Sequence, residues 1–191
     1  MHSLIVFASG RGSNAQAIID FFKANGKAKV SLIVSNKADA GVLEIAKNEH
    51  IPFLIVDKHT AKEVLLVEQM MEYKPSLVVL AGYLWKVPET ILNAFPNRIV
   101  NVHPALLPKY GGKGMYGHHV HEAVVANKEK ESGITIHYVN EHYDEGNIIT
   151  QARCSVAPSD TPDDVAHKIH KLEHFYFPRT LEFLLDSLNR D

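Results

Sequence analysis

The chain has 191 residues, of which 46% are hydrophobic and 22% charged, enough for one compact domain whose core needs neither disulfides nor metal. Its formal charge of -2, with Lys and Arg dispersed, gives no basic field for a nucleic-acid backbone. The single cysteine, Cys154, excludes an intrachain disulfide and favours a reducing compartment, and no apolar run is long enough for a signal segment or a membrane span, so a cytoplasmic protein with small-molecule partners is expected.

Strand-like runs fall at residues 4–8, 30–35, 53–56, 77–81, 99–103, 134–139 and 148–153, several of them apolar throughout, as strands buried on both faces are. Ala15, Ile18, Ile19 and Phe22 share one helical face, and Val64, Leu65, Glu68, Met71 and Glu72 continue a weaker helical period. This alternation predicts an α/β fold: a single-domain, Rossmann-like open twisted sheet over residues 1–191, mostly parallel, with helices on both faces. The connection at residues 140–147 is too short for a crossover helix, so the last two strands are expected to be antiparallel. A final helix is expected to open at Thr161-Pro162-Asp163-Asp164 and to run to Tyr176, before Pro178, with a separate amphipathic tail through Leu181, Leu184, Leu185 and Leu188.

The first strand leads into Ser9-Gly10-Arg11-Gly12-Ser13-Asn14 and then a helix, which aims free backbone N–H groups and the positive end of a helix dipole at one spot. An anion belongs there, with Gly12, Ser13 and Asn14 as its clamp. The spacing also fits the dinucleotide pattern Gly-x-Gly-x-x-Ala through Ala15. The ribose-binding acid is missing from the end of the second strand, however, where Ser35-Asn36-Lys37 stands, and a Walker lysine is absent too. A phosphomonoester suits the turn better than a diphosphate.

In Ile99-Val100-Asn101-Val102-His103-Pro104 an apolar strand places Asn101 and His103 two residues apart, so both side chains leave one face at the strand's carboxyl end, where open α/β sheets hold ligands. An amide can donate to a developing oxyanion and an imidazole can move a proton. A carboxylate to orient the imidazole is expected in the polar connection, where Asp144 ranks only slightly above Glu141 and Glu145.

Together Ser9-Gly10-Arg11-Gly12-Ser13-Asn14, Ser35-Asn36-Lys37-Ala38-Asp39-Ala40, Leu80-Ala81-Gly82-Tyr83, Asn101-Val102-His103-Pro104-Ala105-Leu106-Leu107-Pro108 and Tyr143-Asp144-Glu145-Gly146 resemble the phosphoribosylglycinamide formyltransferases of the folate-dependent formyltransferase superfamily. The resemblance is nearly full length. It implies transfer of a formyl group from the co-substrate 10-formyltetrahydrofolate to the amine of glycinamide ribonucleotide, in purine synthesis, with no metal. It further implies that Asn101, His103 and Asp144 are catalytic, that Gly12, Ser13 and Asn14 hold the substrate phosphate, and that Glu173 contacts the ribose or amine side. The folate pocket it implies is lined by Lys62, by Leu84, Trp85, Lys86 and Val87, and by Asn140, Glu141, His142, Tyr143 and Asp144. Two departures stand out: a longer glycine-rich segment at residues 109–117, and Trp85 where many relatives carry arginine.

Twelve histidines are present, and the sets His118, His119, His121 and His167, His170, His174 have spacings a divalent ion could use; no functional metal is expected, and His119 and His137 are secondary candidates to stand near the catalytic trio. The alternatives are another folate-dependent formyl enzyme, such as formyltetrahydrofolate hydrolase, a nicotinamide-dependent oxidoreductase using Gly10, Gly12 and Ala15, and a non-enzymatic phosphate sensor. A monomer or homodimer is expected.

Overall fold

The structure, a computed structural model, describes residues 1–188. The seven strand-like runs form one seven-stranded sheet: β1 (His2–Phe7), β2 (Ala28–Ser35), β3 (Phe53–Ile55), β4 (Leu77–Leu80), β5 (Ile99–His103), β6 (Glu131–Tyr138) and β7 (Ile148–Ser155), in the order β3-β2-β1-β4-β5-β6-β7. Strands β1 to β5 are parallel, whereas β5 pairs with β6, and β6 with β7, antiparallel.

Side-chain alternation sorts each central strand between two cores. Leu4 and Val6 of β1 join the layer formed with α1 (Ser13–Asn25), α2 (Val42–Asn48), α5 (His118–Ala126) and α6 (Pro162–Leu188). Ile5 and Phe7 face the opposite layer, built with α3 (Val64–Glu72) and α4 (Glu89–Ala94). The α1 face is the one its period gives, Ala15, Ile18, Ile19 and Phe22, all buried. Each large side chain there contributes about 1.5–3 kcal/mol by leaving water.

Two helical expectations are corrected. In α3 the buried residues are Leu66 and Met70, while Val64, Leu65 and Met71 are exposed. The weak sequence period lies one position away from the face that the sheet covers. The last helix does not stop at Tyr176: α6 runs unbroken from Pro162 to Leu188 with Pro178 inside it. Proline there removes one backbone donor, but Phe177, Leu181 and Leu185 are fully buried on the same face and hold the helix together across that position. Its start is a reciprocal cap, in which Asp164 Oδ2 accepts from the Thr161 N–H at 2.8 Å and the Thr161 hydroxyl accepts from the Asp164 N–H at 3.2 Å. No helix among the described residues is long and apolar enough to cross a membrane.

Candidate active site

From β1 the chain builds β2 and β3 to one side and then crosses to β4 on the other, so a crevice opens at the carboxyl ends of these strands. A cleft of about 670 Å³ lies there. The β1–α1 turn, the loop after β4, the end of β5, the glycine-rich segment, the start of α5, the connection after β6 and the middle of α6 all reach it.

The glycine turn forms one wall. Gly12 adopts φ 85° and precedes α1 with no side-chain cap, which leaves the first-turn N–H groups of a 13-residue helix directed at the cleft. A Cβ at Gly12 would come within 2.8 Å of Val42 and Ile45, so only glycine lets the turn lie this close to α2. Asn14 bridges to the far wall, its amide donating to Glu173 Oε2 at 2.9 Å, while Asn14 Oδ1 is buried without a described partner. Burial pushes the Glu173 carboxyl up to about 7, against the lowering effect of the Asn14 amide.

At the other end stand Asn101 and His103, on the β5 face that Ile99 starts. The antiparallel register sets His137 opposite Asn101 and Thr135 opposite His103, so four polar side chains share one patch. The Asn101 amide lies 3.1 Å from His137 Nε2, and His137 Nδ1 lies 2.9 Å from the Tyr138 carbonyl. A carbonyl only accepts, so Nδ1 of His137 carries hydrogen, and its Nε2 stands between the Asn101 amide and Asp144.

Asp144 closes the patch. Its Oδ2 lies 3.5 Å from His103 Nδ1 and accepts from the Gly112 N–H at 3.0 Å, and its Oδ1 lies 3.6 Å from His137 Nε2. Burial alone would raise this carboxyl, but neighbouring His137, His103 and the Gly112 N–H outweigh it and hold Asp144 below the usual carboxylate range. His103 is held below the ordinary histidine value, by burial first, with Asp144 and the Tyr110 carbonyl opposing. Its Nε2 donates to that carbonyl at 2.7 Å, so both ring nitrogens face acceptors. Charge developing nearby can therefore draw a proton onto His103 without any rearrangement.

The turn after β5 is clamped by Thr135. Its buried hydroxyl donates to the Ala105 carbonyl at 2.7 Å and accepts from the Leu107 N–H at 3.0 Å and the Gln151 amide at 2.9 Å. Thr135→Val is expected to cost about 2–4 kcal/mol, since several buried groups lose their partner at once. The denaturant midpoint measures it, and an unchanged midpoint would show that the turn is held by other contacts.

Of the residues singled out in the sequence, the structure gathers Asn101, His103, Asp144, Gly12, Ser13, Asn14, Glu173, Leu84 and Tyr143 on the cleft. Glu141 and Glu145 are exposed outside it, and so is His142. Gly146 explains the choice of Asp144: its Cα packs so tightly on the Tyr138 carbonyl that no Cβ fits, which folds the connection back over β6. Lys62 and Lys86 are exposed and Asn140 caps its own turn by accepting from the His142 N–H. Val87 is core, and Trp85 is half-buried, edge-on to Tyr83 at 6.4 Å, with Tyr83 itself on the cleft. His137 joins the trio and His119 does not, being exposed beside Glu122. The sequence signal for Thr135 and His137 is their alternation with Ile134 and Ile136. No signal marks the Tyr110 carbonyl, a backbone atom. Among the described residues no three metal-ligating side chains converge.

The formyl transferase family profile matches residues 2–181. The phosphoribosylglycinamide formyltransferase of Bacillus subtilis is 37% identical over 100% of this chain and 98% of its own length. A chloroplastic protein of the same name from Arabidopsis thaliana is 42% identical over 90% of this chain, which spans only 61% of that relative, and the Vigna unguiculata relative is likewise spanned over 61%. Among solved structures, glycinamide ribonucleotide transformylase 1 from Symbiobacterium toebii has a TM-score of 0.88 at 34% identity, covering 98% of this chain and 89% of its own. The phosphoribosylglycinamide formyltransferase of Bacillus halodurans gives 0.86 at 38%, with 96% and 95% covered. A formyltetrahydrofolate deformylase from Pseudomonas syringae, 20% identical, shares the fold alone. Sequence and architecture agree over nearly the whole chain, and it belongs to the formyl transferase family.

Proposed function

We propose that this chain transfers the formyl group of 10-formyltetrahydrofolate to the amine of glycinamide ribonucleotide, a step of purine biosynthesis, as a cytoplasmic enzyme acting on small molecules as a monomer or homodimer and without metal. The observation that carries this reading is one cleft holding both a capless helix N-terminus fit for a phosphate and the Asn101, His103, Asp144 patch. The phosphate lies on the N–H groups of Gly12, Ser13 and Asn14, and the ribose reaches Glu173. Leu84 and Tyr143 flank the folate, with Trp85 behind Tyr83, whereas Lys62, Lys86, Val87, Asn140, Glu141 and His142 stand off the cleft.

The neutral amine attacks the formyl carbon. A carbon–nitrogen bond forms and the carbonyl oxygen becomes an oxyanion, which the second Asn101 amide hydrogen and His103 stabilise. Ionised Asp144 favours the imidazolium, and the amine proton passes to the folate nitrogen as the old carbon–nitrogen bond breaks. Incubation with both substrates is expected to give formylated ribonucleotide and deformylated folate in equal amounts. Folded protein that yields neither would refute the proposal. Folate deformylation without a formylated amine would make water the acceptor and the chain a hydrolase.

A further inference from the structure

Ser9 does not face the cleft, yet it connects the two walls. Its side chain is buried at the end of β1, its hydroxyl donates to Asn36 Oδ1 at 2.5 Å, and the same oxygen accepts from the Leu84 N–H at 2.9 Å. Its own N–H donates to the Gly82 carbonyl at 3.0 Å. One hydroxyl thus joins the ends of β1, β2 and β4, the strands that define the crevice.

Asn36 begins a segment that otherwise has no part in the proposed chemistry, and that segment braces the glycine turn. The Val42 N–H donates to the Gly10 carbonyl at 3.1 Å. A Cβ at Gly41 would stand 3.1 Å from the Arg11 Cα, so glycine lets the two backbones meet. Val42 and Ile45 close on Gly12 from beneath. The anion turn is therefore framed by the β2–α2 connection, and the Leu84 wall is registered against that frame through Ser9.

We propose that Ser9 is a positioning residue which, with Asn36, sets the anion turn and the Leu84 wall in a fixed mutual geometry, so that both substrate subsites depend on one hydroxyl. This rests on the formyl-transfer reading for the identity of the two ligands. Loss of the hydroxyl leaves the Leu84 N–H and the Asn36 carbonyl oxygen without their partner, and both loops then sample geometries that bind less well. Asn101 and His103 lie on β5 and Asp144 in the connection after β6, and none of them is hydrogen-bonded to Ser9, so chemistry in the filled site is preserved.

The test compares wild type, Ser9→Ala, Asn36→Ala and the double variant. Ser9→Ala is expected to raise the KM for both the ribonucleotide and the formyl donor by about 5- to 20-fold, with kcat within about threefold. Asn36→Ala is expected to raise the ribonucleotide KM, and to add little in the Ser9→Ala background, because the two changes break one bond. KM values within twofold of wild type, a change in only one of them, additive effects of the two variants, or a fall confined to kcat would overturn the inference. Inorganic phosphate affinity provides a readout without catalysis. If the wild-type protein binds phosphate but transfers no formyl group, the functional proposal falls, while weaker phosphate binding by Ser9→Ala supports the inference and unchanged binding refutes it.

Discussion

Asn101→Ala is expected to lower kcat by about 100- to 1,000-fold, the usual consequence of deleting one oxyanion donor from a water-poor site. The KM for the phosphorylated substrate should move little, because the site proposed for that ligand, the glycine turn and Glu173, is on the far wall of the cleft. Asp144→Asn is expected to fall by a similar factor for a different reason. Asp144 opposes the effect of burial on His103, so its neutralisation drives the His103 titration still further down. Steady-state kinetics measure the first variant, and NMR titration of the His103 ring measures the second. If either variant turned over within tenfold of wild type, its assigned role would be lost.

Glu173→Gln should trade activity for stability, in a pH-dependent way. The buried carboxyl titrates near 7 in the folded protein, against 4.5 for an ordinary glutamate. Between those values the folded state holds more protons than the unfolded state, so this group's contribution falls as pH rises from about 4.5 to 7, and the deficit persists above. The difference corresponds to about 3 kcal/mol. Glutamine keeps an oxygen for the Asn14 amide and carries no charge. The variant is therefore expected to match wild type near pH 4.5 and to exceed it by up to about 3 kcal/mol at pH 8, while its ribonucleotide KM rises.

His121 gives the opposite slope. Burial, then the like charges of His170 and His118, lower this ring to about 4 from 6.5. The unfolded state thus binds more protons between those values, and stability rises with pH across that window. In wild type the two slopes offset each other between pH 4.5 and 6.5. In Glu173→Gln that fall is gone, and the rise from His121 and the other lowered histidines, His103, His170 and His174, remains. Denaturant melts from pH 4.5 to 8 separate these cases, and a variant profile parallel to wild type would show that Glu173 ionises freely in the fold.

What the sequence by itself determined was local and periodic. The seven strands are legible because apolar runs of this length have few other uses, and α1 is legible because Ala15, Ile18, Ile19 and Phe22 repeat at the helical period. Asn101 and His103 share a face because strand alternation has a period of two, whatever lies beside the strand. The glycine turn before α1 presents free backbone N–H groups, as an anion site would, for equally local reasons. The short helices α2, α4 and α5 carry too few turns to impose a period, and the exposed apolar residues of α3 blur its own. In α6, burial of Phe177, Leu181 and Leu185 overrides the stop that Pro178 signals.

The catalytic surroundings were decided by pairing between distant segments. His137 and Thr135 face the pair only because β6 joins β5 antiparallel in one register; a one-residue slip would turn both away. Three acids stand within five positions in the connection after β6, and family resemblance favours Asp144 among them. Only the tight packing of Gly146 on Tyr138 and the left-handed φ of 57° at Asp144 bring that carboxylate between His103 and His137. Residue type and spacing set what chemistry the side chains can do, whereas the order and register of the sheet, fixed by long-range burial, decide which of them meet.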